Sequence, residues 1–318
     1  MTILDYLKYY KDVSFDEVCF NEMDNLVFSA LTYLPIENYD GSFYIKDILD
    51  KCHGKLAKLC NLMNGSRYKD LVMSNFKNIV NDETQFGALT IRFYKGLCYV
   101  GFRGTDDSIT GWREDFELAY EFPVTAQKLA REYLKNTVKI SDKIIFVGGH
   151  SKGGNLAMAS CINLNKNILK KIKCIYNNDG PGFLKDVFLS EEFLSIKDKI
   201  KTFLPEESIV GILLNNCNLI SIKSCNTGPK CHDLYSWECF GFFLVRGRLS
   251  LFSKTLKDNL NKWLDDTSIQ KRKFLVDNFF KTLKMLGVQK MDDLKRIDKL
   301  EIKKISKNII DILNLFRK

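Results

Sequence analysis

The 318-residue chain has no long apolar run. The longest ones, "IVGILL" and "GFFLV", are far shorter than the roughly 20 apolar residues that a membrane-spanning helix needs. The opening residues "MTILDYLKYYKDVSF" have no basic start followed by an apolar core, so no secretory leader is expected. These absences predict a soluble protein that works in the cytoplasm.

Cysteine patterns typical of metal or redox sites are also missing. The ten cysteines never form C-x-x-C, and most lie inside apolar segments. Cys231 and His232 are adjacent but lack a second, matching pair, which argues against zinc. We therefore expect buried, reduced thiols without a disulfide framework, and neither a metal nor a cofactor.

The excess of positive charge is concentrated at one end of the chain. The net charge is +9, and from residue 251 onward 17 Lys and Arg face nine Asp and Glu. This predicts a domain over residues 1–250 and a basic helical extension over 251–318, with amphipathic segments at 265–286 and 299–318. Such helices either contact an anionic membrane or pack on the core with their lysines in solvent, and packing is the favoured interpretation. No nucleic-acid motif accompanies the charge, so no nucleic-acid partner is expected.

The period of the apolar residues changes along the chain. Residues 1–80 indicate mostly helix, including one over 23–34 with Asn21 or Asp24 as a cap. Residues 87–105 hold two β-rich runs around Lys95-Gly96, a hairpin signal. Further on, strand patterns alternate with helical patterns, which predicts an α/β fold with a mostly parallel sheet. The predicted later strands are 143–149, 171–180, 199–205 and 219–225, and the predicted helices are 123–138 and 154–169.

A serine lies between glycines at one predicted strand-to-helix junction. The stretch "IIFVGGHSKGGNLAMAS" contains Gly149-x-Ser151-x-Gly153, the G-x-S-x-G pattern of a nucleophile elbow. The turn is so tight that side chains two residues either way would collide, and the following helix directs free N–H groups toward the site. The alternative is a phosphate-binding loop, but the order G-x-x-x-x-G-K-[ST] is absent.

A serine nucleophile needs a base, and the chain has only three histidines. His150 is adjacent to Ser151, and we expect its ring to point away and pack under the sheet. His53 lies in the N-terminal helical region, where a surface position is expected. His232 follows the last predicted strand in a loop, and it completes the order serine, acid, histidine of α/β-hydrolases. His232 is therefore the predicted base.

Four carboxylates are candidates for the residue that orients this base. Asp179 is favoured because "NDGPGF" is a tight turn at a strand's carboxyl end, where such sheets keep their sites. Glu206 and Glu207 follow the next strand and are the alternatives. Asp233 is adjacent to His232, and neighbouring side chains rarely orient each other.

An oxyanion hole needs two backbone N–H groups. Lys152, directly after the serine, is one predicted donor, and Thr105, at the end of the strand in "VGFRGTDDS", is the other. The alternative for Gly104-Thr105 is an ordinary turn.

With these residues assembled, the chain resembles class 3 lipases. Those enzymes carry F-R-G-[ST], then a Trp and an Asp, then G-H-S-x-G-G-x-L-A. Here the sequence has "FRGT" at 102–105, Trp112, Asp115 and "GHSKGGNLA" at 149–157. A closer likeness, over roughly residues 1–245, is to a bacterial family of lipase-like α/β-hydrolases filed as a domain of unknown function, through "NNDGPGF", "SIVG" and "HDLYSW".

This resemblance implies an α/β-hydrolase fold with Ser151 as nucleophile, His232 as base and Thr105 as an oxyanion donor. The implied reaction is hydrolysis of a small-molecule or lipid ester. Lys152 replaces the leucine common in lipases, and such a cation either favours an anionic or polar substrate or lies at the surface. The alternative function is a weak or inactive scaffold with a binding or signalling role.

Overall fold

The computed structural model describes residues 1–106, 108–285, 287–288, 290 and 293. One eight-stranded sheet runs through it, with the strands side by side in chain order. The strands are β1 (Tyr39–Phe43), β2 (Val72–Val80), β3 (Gln85–Tyr94), β4 (Leu97–Phe102), β5 (Ile144–His150), β6 (Ile172–Asn178), β7 (Ile200–Pro205) and β8 (Leu219–Ile222). Strands β1 to β4 pair antiparallel and β4 to β8 pair parallel. Six strands therefore point the same way, and the predicted mostly parallel α/β-hydrolase sheet is confirmed.

Helices cover both faces of this sheet. The α-helices are α1 (Ile3–Tyr10), α2 (Glu22–Leu31), α3 (Gly54–Leu62), α4 (Ile109–Glu117), α5 (Thr125–Thr137), α6 (Lys152–Cys161), α7 (Lys166–Lys171), α8 (Lys185–Phe188), α9 (Glu191–Leu194), α10 (Leu251–Asp266) and α11 (Ile269–Met285). Successive strand residues face opposite cores, as the two-residue period of a strand requires. Tyr99 and Phe146 pack with α1 to α3, whereas Val100 and Val147 pack with α5 and α6. No helix in this described part is both long enough and apolar enough to cross a membrane.

Short elements complete the described chain. A separate hairpin pairs β9 (Cys239–Phe240) with β10 (Phe243–Leu244). The 3-10 helices are Ile45–Lys51, Lys197–Lys199, Gly228–His232 and Leu234–Ser236. The third of them carries the predicted base at its last residue, so this base is placed by helix geometry rather than by an open loop.

Two local predictions are confirmed by backbone geometry. Lys95 and Gly96 both have positive φ, 35° and 85°, and they link β3 to β4 as a two-residue hairpin loop requires. Asn21 caps α2, because its Oδ1 accepts from the N–H groups of Met23 and Asp24, while the Asp24 carboxylate accepts from Asn21 N. This reciprocal capping box fixes where α2 begins.

Two other predictions are wrong. Residues 1–80 are not mostly helical, because β1 and β2 form the edge of the sheet. Four of the five β1 residues are exposed, so this strand has no apolar alternation to detect and depends on pairing with its neighbour. The helix expected over 154–169 is two helices, since α6 ends at Cys161 and Asn163 takes a left-handed φ of 59° before α7.

The basic extension packs on the rest of the molecule as far as it is described. Phe279 and Phe280 of α11 contact Phe116 of α4. Helix α10 begins beside the end of β7, where Ser250 N donates to the Glu206 carbonyl at 2.7 Å. The second expected segment, 299–318, lies outside the described residues.

Candidate active site

The predicted nucleophile lies in a strained turn between β5 and α6. Ser151 has φ 58° and ψ −134°, a conformation that a non-glycine residue rarely adopts. A Cβ added to Gly149 or Gly153 would overlap the Phe102 carbonyl oxygen on the neighbouring strand. Both glycines are therefore required by the close approach of β4, as the G-x-S-x-G pattern predicts.

The predicted base and acid are in direct contact. His232 Nδ1 lies 2.6 Å from Asp179 Oδ2, and Asp179 is fully buried in the turn after β6. The other carboxylate oxygen accepts from Ser208 Oγ at 2.5 Å and from Gly211 N at 3.1 Å. An ionised carboxylate only accepts hydrogen bonds, so the imidazole donates from Nδ1 and a neutral ring keeps Nε2 as its acceptor. This is the tautomer that a general base needs.

The other carboxylates point elsewhere. Glu206 Oε1 accepts from Arg248 N at 3.2 Å, and Glu207 Oε2 accepts from Gly228 N in a short hydrogen bond. Asp233 forms a short ion pair with Lys55. Among the candidates weighed from the sequence, Asp179 is the one that the structure brings to His232.

The segment after β4 lies against the elbow. A Cβ added to Gly104 would be 3.0 Å from Ser151 Cβ, which places the segment that carries Thr105 beside Ser151. Thr105 Oγ1 donates to Asp115 Oδ2 of α4 at 2.5 Å. Burial raises the pKa of Asp115 to about 6, against the lowering effects of Lys152 and the Thr105 hydrogen bond. Asp115 therefore orients the Thr105 side chain, and through it the end of the β4 segment.

The Lys152 side chain neither faces substrate nor lies at the surface, so the expectation for its ammonium is wrong. It is 2% exposed, and Nζ donates to Glu114 Oε2 at 2.9 Å and to the Gln85 carbonyl at 2.8 Å. Glu114 also accepts from Thr84 Oγ1 at 2.8 Å and from Ala126 N at 2.7 Å. The cation is directed inward because α6 begins beside α4, and it ties the nucleophile's helix to the helix that carries Asp115.

The sequence predicts that the His150 ring packs under the sheet, and this prediction is wrong. Its Nε2 lies 2.7 Å from the His232 carbonyl oxygen, and its Nδ1 lies 3.2 Å from the Tyr33 hydroxyl. Burial, followed by the neighbouring His232, lowers the pKa of His150 to about 3, so its ring is neutral. His53 is exposed, as expected. No role was expected for Tyr33 or Ser208, although Ser208 opens the "SIVG" block, because both reach the site through tertiary packing.

The Ser151 turn, the His232–Asp179 pair and the β4 loop all lie at the carboxyl edge of the parallel strands, and the fold is that of a lipase-like α/β-hydrolase. The chain belongs to the Mbeg1-like family, whose model matches residues 62–281.

More distant comparisons add little. No curated protein matches the chain. The crystal structure of M37 lipase is 16% identical, and the alignment covers 62% of this chain and 70% of that one with a TM-score of 0.39. A likeness this distant supports no statement about activity.

Proposed function

We propose that the protein is a serine hydrolase that cleaves carboxylic esters through an acyl-serine intermediate. The observation that carries this proposal is the 2.6 Å contact between His232 Nδ1 and Asp179 at the same sheet edge as the Ser151 turn. Structural ion pairs between histidine and aspartate are common, but here the pair accompanies a strained serine with glycines on both sides.

In the proposed reaction, Ser151 Oγ attacks the ester carbonyl carbon while His232 Nε2 takes the hydroxyl proton. Asp179 stabilises the resulting imidazolium. The backbone N–H groups of Thr105 and Lys152 donate to the oxyanion, each worth about 3–4 kcal/mol of transition-state stabilisation. His232 then protonates the departing alkoxide. Water, deprotonated by the same imidazole, attacks the acyl-serine; the acid is released as His232 returns this proton to Ser151 Oγ.

We propose lipid-like acyl esters as the substrate class. Helix α10 runs along the carboxyl edge, since its first turn is bonded to Glu206 and Leu264 near its end packs against Leu118, Val124 and Leu214. Three half-buried side chains between these ends are apolar and lie at helical spacing, namely Leu256, Leu260 and Trp263, beside the half-buried Lys257 and Asn261. Such a face suits an acyl chain better than a charged or sugar-like group.

We also propose that the enzyme works in the cytoplasm. All ten cysteines are thiols, and eight of them are buried. Cys52 and Cys60 lie with their sulfur atoms 3.9 Å apart as an unbonded pair, an arrangement that a reducing compartment would maintain.

Active-site labelling tests the proposal directly. A fluorophosphonate probe is expected to modify Ser151, and hydrolysis of p-nitrophenyl esters of increasing chain length is expected to stop in Ser151→Ala. Ser195→Ala, on the surface, is the matched control. Labelling elsewhere, or none, would contradict the mechanism. Equal ester hydrolysis by the wild type and Ser151→Ala would favour a scaffold with a binding or signalling role.

A further inference from the structure

We propose that Tyr33 and His150 are positioning residues that hold the base and the oxyanion loop in register with the nucleophile. This inference rests on the proposed function, because it assigns a task to residues around the same serine. Three hydrogen bonds carry it: Gly104 N to Tyr33 Oη at 3.2 Å, Tyr33 Oη to His150 Nδ1 at 3.2 Å, and His150 Nε2 to His232 O at 2.7 Å.

The direction of every bond in this chain is fixed by chemistry. A backbone carbonyl only accepts, so His150 Nε2 must donate to His232 O. A neutral imidazole carries one N–H, so Nδ1 of His150 is an acceptor and the Tyr33 hydroxyl must donate to it. The Tyr33 oxygen then accepts from Gly104 N. Each donor hydrogen therefore has one acceptor, and the three hydrogen bonds have no alternative arrangement while the His150 ring is neutral.

The three hydrogen bonds join the three segments that must be aligned for catalysis. Gly104 immediately precedes Thr105, His150 immediately precedes Ser151, and the last bond reaches the backbone of His232 itself. Reorienting any of these segments requires at least one of the three bonds to break.

The last carbonyls of the short helix that ends at His232 are each held by a separate donor, and that of Lys230 accepts from Asn226 Nδ2 and Asp233 N, both at 3.2 Å. A helix end leaves carbonyl groups without intrahelical partners. The Cys231 carbonyl accepts from Trp237 Nε1 at 2.9 Å, and the His232 carbonyl accepts from His150. Trp237 also packs edge-on against the His150 ring, with centroids 6.1 Å apart. His150 therefore acts on the position of the imidazole through the backbone, and a misplacement of about 1 Å is enough to cost roughly a hundredfold in rate.

Two substitutions at position 150 separate positioning from packing. His150→Phe keeps the ring and loses both nitrogen contacts, and we expect kcat for p-nitrophenyl acetate to fall about 30- to 100-fold with KM changed less than about threefold. His150→Gln puts an amide N–H where Nε2 was, and we expect it to recover at least about tenfold of that loss. Tyr33→Phe is expected to lower kcat about tenfold, whereas Tyr9→Phe, on the surface, leaves it unchanged. The proposal would be overturned if His150→Phe and His150→Gln lowered the melting temperature equally but kept the wild-type kcat. It would also be overturned if kcat of His150→Gln were no higher than that of His150→Phe.

A readout without turnover distinguishes this inference from the proposed function. In imidazole 15N NMR of the wild type, His150 is expected to be protonated at Nε2 and not at Nδ1 from about pH 5 to pH 8, and the His232 signals are expected to shift in Tyr33→Phe. An Nδ1-protonated or titrating His150 would overturn the chain of bonds, whether or not Ser151 reacts with the probe. An unreactive Ser151 with the expected NMR result would instead refute the proposed function and leave the positioning geometry in place.

Discussion

Replacing Lys152 with methionine isolates the ion pair beneath the nucleophile. Lys152 and Glu114 side chains are each 1% exposed, with Nζ and Oε2 2.9 Å apart. Methionine keeps the volume of the aliphatic stem and leaves the backbone N–H in place. What is lost is the charge of the ammonium and its bond to the Gln85 carbonyl.

The expected cost follows from what Glu114 keeps. Breaking a buried pair by removing one partner typically costs about 3–5 kcal/mol, because the remaining charge is buried without compensation. Glu114 retains its bonds from Thr84 Oγ1 and Ala126 N, so we expect the lower end, about 3 kcal/mol of unfolding free energy. With roughly 2 °C per kcal/mol for a chain of this size, the melting temperature should fall by about 6 °C.

Urea unfolding followed by tryptophan fluorescence measures this change. Glu114→Gln alone should also destabilise, and the double variant Lys152→Met/Glu114→Gln should cost less than the two single changes together by about 2 kcal/mol. Lys77→Met is the matched control, because Lys77 pairs with Asp40 on the surface and should change stability by less than about 1 kcal/mol. If Lys152→Met cost no more than this control, or if the two single effects simply added, the reasoning from the buried pair would be refuted.

Three further predictions address the site and the extension. Asp115→Asn should stabilise the fold increasingly as pH rises from about 4 to about 7, because the folded-state pKa of Asp115, about 6, lies above the ordinary 3.8 and the charged carboxylate is penalised in the fold. The expected gain at pH 7 is on the order of 2 kcal/mol of unfolding free energy. A gain in melting temperature that is the same at pH 4 and pH 7 would contradict this prediction. Ser208→Ala removes one of two donors to Asp179 Oδ1 and should lower kcat about tenfold at constant KM in ester hydrolysis, whereas an unchanged kcat would show that this bond does not hold the acid. The alternative interpretation of the extension, contact with anionic membranes, predicts that the full-length protein sediments with phosphatidylserine vesicles and loses this binding when the exposed lysines of α11 become glutamate, and a wild type that stays in the supernatant would exclude it. Those lysines are Lys271, Lys273, Lys281 and Lys284.

The parts of the site that follow from local sequence could be predicted. The elbow needs glycines two residues either side of Ser151 because β4 passes close by, and that requirement is written as G-x-S-x-G. Asp179 lies in a turn with φ 54°, and the stretch "NDGPGF" predicts such a tight turn. His232 was found by elimination, since three histidines left little choice.

The parts that depend on tertiary neighbours could not be predicted. Lys152 is the first residue of α6, and the sequence does not say that its side chain meets Glu114, 38 residues earlier. Tyr33 meets His150 across 117 residues. For β1, pairing with β2 rather than its own composition makes a strand of "YDGSF". In each case the interaction is specific, but the partners are far apart in the sequence and no local residue pattern predicts their contact.

The inward direction of Lys152 bears on which esters the proposed hydrolase would accept. Glu114 neutralises the ammonium at 2.9 Å, so no net positive charge from this pair reaches the substrate. In the proposed reaction, stabilisation of the oxyanion then depends on backbone N–H groups, which act on any ester carbonyl whatever the charge elsewhere in the substrate. His150 is neutral as well, so the groups immediately flanking Ser151 offer no counter-ion for an anionic substrate. For the proposed hydrolase, this and the half-buried Leu256, Leu260 and Trp263 of α10 favour an uncharged, hydrophobic acyl ester over the anionic or polar substrate that a lysine beside Ser151 first suggests.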